Sequence, residues 1–382
     1  MPTQQIKPVY AGPFQGVDVS MPETDIAPQS SPFLQNVVLR NGEIRSRPAL
    51  MFLMQGPQDG TAVRCITCFQ DINGVAHTVC ITRTAIYQLS SNWQYMIQHG
   101  TNPWLVLANF GSTQPDIPYS YAILQTNLFF TNAGSGIFQW NGMTNTVQSV
   151  GNLANGTVFS GFYLMELNAK LITAYTIESL SGTTNVFPFR IRWTSTAPSF
   201  TAGLTPWDVT TNLGAGFNDE FDVPDVITGI LPLGRVGYIY RSNGISEMIP
   251  NGNGNGFDFD HLWASDRGIG SINAQTLSGY GPMHMFMAND DIYKLTPNSF
   301  DQVGGRALNA IKQDIAQANG FVLGTIVPYI NIDYVYLTYW LVIPLANNVS
   351  KIWIYDIKQD NWTAQVFNNK VFTAKPRNVY TL

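Results

Sequence analysis

Three cysteines are the residues whose type and spacing come closest to a chemical signature. Cys65 and Cys68 have the two-residue separation of a metal or redox pair, but no second pair and no His-x-His pattern accompanies them. On a strand, positions i and i+3 point to opposite faces, so these two thiols would diverge. With Cys80, we therefore expect buried free thiols, which fits synthesis in a reducing cytoplasm.

Two groups of carboxylates could support acid–base or metal chemistry. Asp290 and Asp291 are adjacent, so their side chains would diverge in a strand, and a turn is expected there. The stretch 216–225 contains four more, namely Asp219, Glu220, Asp222 and Asp225. Their spacing is not that of a Ca²⁺-binding loop, so we favour a solvated acidic loop and keep a calcium loop as the alternative.

Other catalytic patterns are missing from the sequence. It contains no Gly-x-Ser-x-Gly elbow and no Walker-type glycine loop. The four histidines are scattered without zinc-ligand spacing: His77, His99, His261 and His284. The alternating Asn and Gly residues at 251–256 predict a mobile loop and no phosphate cradle. We expect no catalytic residue, no metal and no cofactor, and hence no enzyme.

The elements that would position these residues repeat along the chain. In the stretch 351–362, Ile352 and Ile354 alternate with Trp353 and Tyr355, which is the period of a strand. A turn at 359–361 then allows a second strand from Trp362 to fold back. Similar aromatic-bearing strands recur about every fifty residues, with the anchors Tyr87, Phe138, Trp193, Tyr240, Tyr293 and Tyr355. This period predicts a β-propeller of about six blades, with a sandwich or a multi-domain β-protein as the alternative.

The remaining elements lie outside this repeat. Residues 1–55 predict an N-terminal arm and hairpin, because Asn41-Gly42 separates two extended runs, and residues 56–382 predict the propeller. Residues 12–25 show no periodicity and suit an extended arm. One short helix is predicted over residues 306–318, where Leu308, Ile311 and Ile315 share one apolar face.

Composition points to a folded chain with neighbours. Charged residues make up 12% of the chain and aromatic residues 13%, the opposite of a disordered protein. So few charges predict a surface largely covered by other subunits. The net charge of −5 argues against a dedicated DNA-binding protein. The first five residues predict no secretory signal, and the apolar stretch 334–345 is too short to span a bilayer.

Two patches of sequence resemble a known protein family. The first comprises Gly16-Val17-Asp18, residues 32–37 and residues 40–48; the second comprises Gly268, Ser271-Ile272, residues 285–287, residues 291–293 and the helix around Ile311 and Ile315. In these patches the chain is similar to the tail hub, or nozzle, proteins of short-tailed bacteriophages. The resemblance touches about a third of the chain.

The resemblance implies a structural virion protein made in the host bacterial cytoplasm. Such a subunit forms a ring, expected to be a hexamer, below the portal and its adaptor. The ring extends the DNA channel, retains and later releases the genome, and can carry a tail spike, needle or fibre. Packaged DNA would pass without specific binding. Deletion of residues 1–20 is then expected to block attachment to the particle and to leave the propeller folded.

Two alternatives to the hub are kept. A receptor-binding tail propeller would bind carbohydrate through exposed Trp, Tyr, Asn and Asp side chains. A virion glycan hydrolase would need two carboxylates, with Asp291 as the first candidate. Sialidase-like propellers carry a Ser-x-Asp-x-Gly-x-Thr-Trp turn, and residues 265–268 resemble only its beginning, with no Trp behind.

Overall fold

The structure is a computed structural model of the chain. It describes residues 15–367, with gaps at 23, 28, 33, 36, 41–42, 47–55, 111–113, 133–135, 145, 201–203, 220–224, 253–255, 263–266 and 332–333. The described residues divide into two compact units. One comprises the described residues from 56 to 301, and the other comprises those up to 46 together with those from 302 to 367.

Six four-stranded sheets follow one another along the described residues, each with its strands in chain order. Blade one comprises β5 (Cys65–Gln70), β6 (Ala76–Ile81), β7 (Ala85–Leu89) and β8 (Trp104–Asn109). Blade two comprises β9 (Ser120–Leu124), β10 (Asn127–Asn132), β11 (Gly136–Trp140) and β12 (Gln148–Ser149). Blade three comprises β13 (Val158–Leu167), β14 (Lys170–Leu180), β15 (Thr183–Trp193) and β16 (Gly216–Asp219). Blade four comprises β17 (Ile227–Leu233), β18 (Val236–Arg241), β19 (Ile245–Pro250) and β20 (Phe257–His261). Blade five comprises β21 (Ser278–Tyr280), β22 (Met283–Met287), β23 (Ile292–Thr296) and β24 (Ser299–Gln302). Blade six comprises β25 (Leu323–Asn331), β26 (Tyr334–Pro344), β27 (Ser350–Asp356) and β28 (Asn361–Phe367).

Within the unit that ends at residue 301, the first strands of successive sheets lie side by side. β9 contacts β13, β13 contacts β17, and β17 contacts β21. Apolar side chains fill the space between neighbouring sheets; between blades four and five, for example, Tyr240 packs edge-on against Phe286 with ring centroids 5.0 Å apart. First strands that adjoin and sheets that pack face to face are the arrangement of a propeller. The prediction of a mainly β, six-bladed β-propeller is confirmed.

The repeat seen in the sequence corresponds to the third strand of a blade. Five of the six anchors lie on third strands: Tyr87, Phe138, Trp193, Tyr293 and Tyr355. The sixth, Tyr240, lies on β18, the second strand of blade four, so it is not the position in its blade that the other five anchors occupy. The predicted hairpin at 351–362 forms, with Tyr355 opposite Trp362 across β27 and β28. Asp360 takes a φ of 51° in the turn, which Asp tolerates better than most residues.

The described helices are short. The predicted helix is present as a 3₁₀ turn, Gly305–Ala307, followed by α2, Leu308–Ala316. Its face contributes the buried Ile311, while Asp314 accepts a 2.6 Å hydrogen bond from the Trp353 indole. A second helix, α1 (Trp93–Gln98), was not predicted and has no buried residue. No described helix is long and apolar enough to cross a membrane.

Four short strands precede the blades. β3 (Val37–Arg40) and β4 (Glu43–Ser46) pair antiparallel, which confirms the predicted hairpin, although its Asn41-Gly42 turn lies outside the described residues. β1 (Gly16–Val17) pairs parallel with β2 (Ser30–Ser31). Residues 12–14 of the predicted arm also fall outside the described ranges.

Candidate functional site

The three cysteines all belong to blade one. Cys65 and Cys80 are buried, as predicted, and Cys68 is half-buried on the other face of β5. None forms a disulfide. Burial raises the pKa of the Cys80 thiol, so it is protonated at neutral pH and unreactive there.

The acidic stretch 216–225 is described at 216–219 and at 225, and at its beginning the prediction of a loop was wrong, because Gly216–Asp219 form strand β16. The two carboxylate oxygens of Asp219 each accept a 2.7 Å hydrogen bond from the guanidinium of Arg190 on β15. Arg190 also donates to Glu178 on β14, so one arginine links carboxylates on the two strands that flank β15. Burial lowers the pKa of Arg190, but these carboxylates outweigh it and raise the pKa above its ordinary value. Glu220 and Asp222 lie outside the described residues.

The segment between β15 and β16 contributes a buried tryptophan. Trp207 is fully buried and its indole donates a 2.9 Å hydrogen bond to the carbonyl of Val150. Beside it, Asp208 accepts a 2.7 Å bond from the amide of Ala154. These two bonds attach the segment to the connection between β12 and β13.

Asp290 and Asp291 lie in the turn between β22 and β23, where a turn was predicted. Asp290 accepts a 2.6 Å hydrogen bond from the Tyr293 hydroxyl, and Asp291 accepts one of 2.7 Å from the amide of Ile292. Both described contacts stabilise the turn. The same tyrosine–aspartate contact recurs in other blades, as Tyr87–Asp59 and Tyr355–Asp360.

The histidines are dispersed, as the sequence suggested. His77 and His284 are buried on β6 and β22, whereas His99 and His261 are exposed, after α1 and at the end of β20. Among the described residues, no three His, Cys, Asp or Glu side chains are grouped closely enough to hold a metal ion. The Ser265–Asp266 part of the sialidase-like stretch lies outside the described ranges.

The two buried histidines connect neighbouring blades. His77 lies 3.2 Å from the Asp71 carboxylate, and its ring packs edge-on against Trp140 of blade two. Burial raises the pKa of Asp71, but hydrogen bonds from backbone amides and His77 outweigh it, so the pKa is below its ordinary value. His284 of blade five lies 2.8 Å from the Tyr240 hydroxyl of blade four. Both histidines therefore hold neighbouring blades together.

The candidate site lies in the other unit, where the N-terminal segment docks on blade six. β1 and β3 both contact β28. The amide of Ala364 donates a 3.0 Å hydrogen bond to the carbonyl of Leu34, next to a parallel bridge between Gln35 and Ala364. At Gly16, with φ of 108°, an added Cβ would lie 3.1 Å from the Asn361 side chain, so glycine permits the close approach. We call residues 15–46 the docked segment.

An ion pair fixes the docked segment to the turn before α2. Arg306 donates a 3.0 Å hydrogen bond to the buried carboxylate of Asp18, and its own carbonyl accepts one of 3.0 Å from the amide of Val19. Burial raises the pKa of Asp18, but two hydrogen bonds from Ser20 and the Arg306 charge outweigh it, so the pKa is lowered overall. Asp18 is therefore ionised at neutral pH.

A polar cavity of about 470 Å³ adjoins this ion pair, in the same unit. The docked segment forms one wall, the end of β24 and the 3₁₀ turn form another, and the β27–β28 turn forms the third. Its polar lining is Gln15, Gln302, Arg306, Gln359, Asp360 and Asn361. Trp362 lies beneath and donates a 2.6 Å bond to the carbonyl of Val303. The site can donate and accept several hydrogen bonds, but the described lining has a single carboxylate.

Sequence reasoning did not find this site. Gln15 and Asp360 are 345 positions apart, and a parallel bridge such as Gln35–Ala364 leaves no local pattern. The one available signal was the turn at 359–361, which the sequence did place correctly next to the strands.

No family model matches the chain, and no curated protein sequence matches it. Solved structures do show likenesses. The extracellular domain of a protein described as a hybrid two component system of B. thetaiotaomicron has 11% identity and a TM-score of 0.43, with 85% of this chain and 35% of that one covered. The chain thus spans about a third of the length of that protein.

Two further likenesses are weaker. The SapL1 lectin, solved in complex with alpha methyl fucoside, has 10% identity and a TM-score of 0.35, covering 80% of this chain and 95% of that one. The WD40 domain of SCAP from fission yeast has 4% identity and a TM-score of 0.27, covering 77% and 52%.

Proposed function

We propose that this chain is a non-enzymatic, structural subunit of a short-tailed bacteriophage tail. In this proposal several copies, six by the resemblance, form the hub or nozzle ring below the portal and adaptor. The ring extends the DNA channel, holds the packaged genome and releases it at infection. Spike, needle or fibre proteins would attach to the same ring.

The observation that carries the proposal is the contact between its two resembling patches. Asp18 belongs to the first patch, and Arg306 precedes the helix that belongs to the second, 288 residues away. The two side chains form an ion pair, and the adjoining backbones are hydrogen-bonded. A residue of the first patch is thus joined to the turn that leads into the helix of the second patch, which supports a shared architecture.

Surface chemistry also supports an assembled subunit. The apolar side chains of Leu105 and Val106 on β8 are 49% and 54% exposed, and that of Val186 on β15 is 54% exposed. In a chain with 12% charged residues, such surface is better suited to contact with sister subunits than to water. Six copies at −5 give a ring of about −30, whose like charge would let DNA slide past.

Electron microscopy of the purified chain, alone and mixed with the portal and adaptor proteins encoded beside it, tests the proposal. We expect a ring with a central opening, either alone or on the adaptor. The variant Leu105→Asp tests the interface: it should remain folded but no longer form the ring if β8 contacts a neighbouring subunit. A protein that stays monomeric in every mixture, or that purified particles lack, would refute the hub.

The docked segment also changes the attachment test. β1 contacts β28, and Asp18 and Val19 bind Arg306, so deletion of residues 1–20 would remove structural contacts as well as any docking arm. Deletion of residues 1–14 keeps every described contact of the docked segment. We expect it to reduce binding to the adaptor, measured by co-sedimentation, with thermal unfolding as the control for folding.

A further inference from the structure

We propose that the polar cavity beside the docked segment binds a neutral oligosaccharide. This goes beyond the hub role, since a ring subunit needs no ligand at this position. The inference rests on the chemistry of the lining, the fixed positions of three of its side chains and the size of the cavity.

The lining matches hydroxyl groups better than any charged ligand. Four of its six polar side chains are carboxamides, each of which can both donate and accept hydrogen bonds. Neighbouring hydroxyls of a sugar ring need such paired donors and acceptors. The remaining two, Arg306 and Asp360, carry opposite charges, and Arg306 already pairs with Asp18, so the described lining has no cluster of like charges that would select an ion.

The key side chains are held before any ligand arrives. Asp360 accepts a 2.6 Å hydrogen bond from the Tyr355 hydroxyl through Oδ1, while its Oδ2 has no hydrogen-bond partner among the described residues. Arg306 is anchored through Nη1 on Asp18. Trp362 is fixed beneath by its bond to Val303. Preformed groups lose little entropy on binding, so even a small polar ligand can be retained.

The size of the cavity agrees with this ligand class. Its volume of about 470 Å³ lies within the range of roughly 300–1,000 Å³ that is usual for small-molecule sites. A single water or ion would leave most of it unfilled. A short oligosaccharide would contact all three walls at once.

A glycan array that displays neutral and sialylated oligosaccharides, probed with the full-length chain, is the first experiment. We expect neutral glycans to bind, and calorimetric titration of the best one should give the same dissociation constant in 50 mM and 500 mM NaCl. A neutral ligand makes no long-range ionic contact for salt to screen. Binding of sialylated glycans alone, of a peptide in place of glycans, or of nothing at millimolar concentration would overturn the proposal.

A matched pair of variants locates the site. Asp360→Asn removes the ionised acceptor, yet an Asn can still accept from Tyr355 and tolerates the positive φ. Its partner is Asp290→Asn, which alters the same tyrosine–aspartate contact in blade five, away from the cavity lining. We expect Asp360→Asn to weaken binding by about tenfold or more, the loss of one hydrogen bond to a charged group. Asp290→Asn should bind normally.

Gln302→Ala provides a second test that does not touch the tyrosine contact. It should also weaken binding, because one wall loses its carboxamide. Equal losses in Asp290→Asn and Asp360→Asn, or full binding in both Asp360→Asn and Gln302→Ala, would place the glycan elsewhere and overturn the inference. Thermal unfolding of each variant shows whether the fold is retained.

Discussion

The fourth strand of a blade has opposite surroundings in two parts of this molecule. In β28 of blade six the first five residues are buried, whereas in β8 of blade one only the first residue is, and Leu105 and Val106 are about half exposed. The difference has a visible cause, since β1 and β3 of the docked segment contact β28. One fourth strand is covered by the chain itself, and the other presents apolar side chains.

This contrast shows two ways of treating a sheet edge. An exposed strand edge can pair with another chain, so proteins cover such edges or make them unattractive. Blade six is covered intramolecularly. The exposed apolar residues of β8 are consistent with the proposed assembly, in which a sister subunit supplies the cover.

The largest effect is expected for Trp362→Ala, in the covered strand. Trp362 is buried, packs against Tyr355 with ring centroids 5.1 Å apart, and donates to the Val303 carbonyl. Truncation of a buried Trp typically costs about 3–5 kcal/mol. Urea unfolding monitored by circular dichroism should show this loss, and a change below about 1 kcal/mol would mean that β28 is not packed as described.

Gly16→Ala should have the next largest effect. It adds a Cβ to a residue with φ of 108° and brings that atom 3.1 Å from the Asn361 side chain, so strain and crowding combine to a cost of about 2–3 kcal/mol. The matched control is Gly74→Ala, with φ of 78° and no atom within 4 Å of the new Cβ. It should cost only about 1 kcal/mol, since it carries strain alone. Equal costs for the two variants would show that the docked segment does not approach β28 closely at Gly16.

Blade one is stabilised by hydrogen bonds to the Asp59 carboxylate, and their contribution depends on pH. Burial raises the pKa of Asp59, but hydrogen bonds from Thr82, Thr84 and Thr61 outweigh it and lower the pKa from 3.8 to about 2. Because the pKa is lower in the folded state, Asp59 stabilises the fold above about pH 4, and this contribution is lost as the pH falls towards 2.

Asp59→Asn should therefore cost about 1–2 kcal/mol at pH 7 and much less near pH 2.5. Urea denaturation at both pH values measures the difference. A cost that does not change with pH would show that the ionised carboxylate is not the source of the stabilisation.

The smallest effect on folding is expected for Leu105→Ala, in the exposed strand. A side chain that is 49% exposed contributes little to the isolated chain, so the cost should be below about 0.5 kcal/mol. If β8 meets a sister subunit, the same change should lower the fraction of rings in analytical ultracentrifugation. Strong destabilisation of the monomer would show that β8 is part of a core.

Much of the architecture could be predicted because its signals are local. Alternating aromatic and aliphatic residues at 351–355, Asn-Gly at 41–42 and the apolar spacing of Leu308 and Ile311 each report on nearby residues. The anchor at Tyr240 lies on a second strand, whereas the other five lie on third strands, so the anchors are not all equivalent positions. Local patterns thus identify the blades but not the order of every strand within them.

The candidate site depended on contacts between distant residues. A carboxylate such as Asp219 appears solvated in the sequence until β15 brings Arg190 beside it. In the same way, Asp18 lies in a stretch without periodicity and acquires its role only through Arg306. Side chains that converge from separate elements have no spacing rule to reveal them.

Hydrogen exchange of the full-length chain tests the central claim, that the docked segment covers β28. The amides of residues 15–19 and those of β28 should exchange with similar protection, and Asp18→Asn should accelerate both groups while β27 stays protected. If β28 keeps its protection while residues 15–19 exchange as freely as an unfolded peptide, the docked segment does not cover blade six and the account is contradicted.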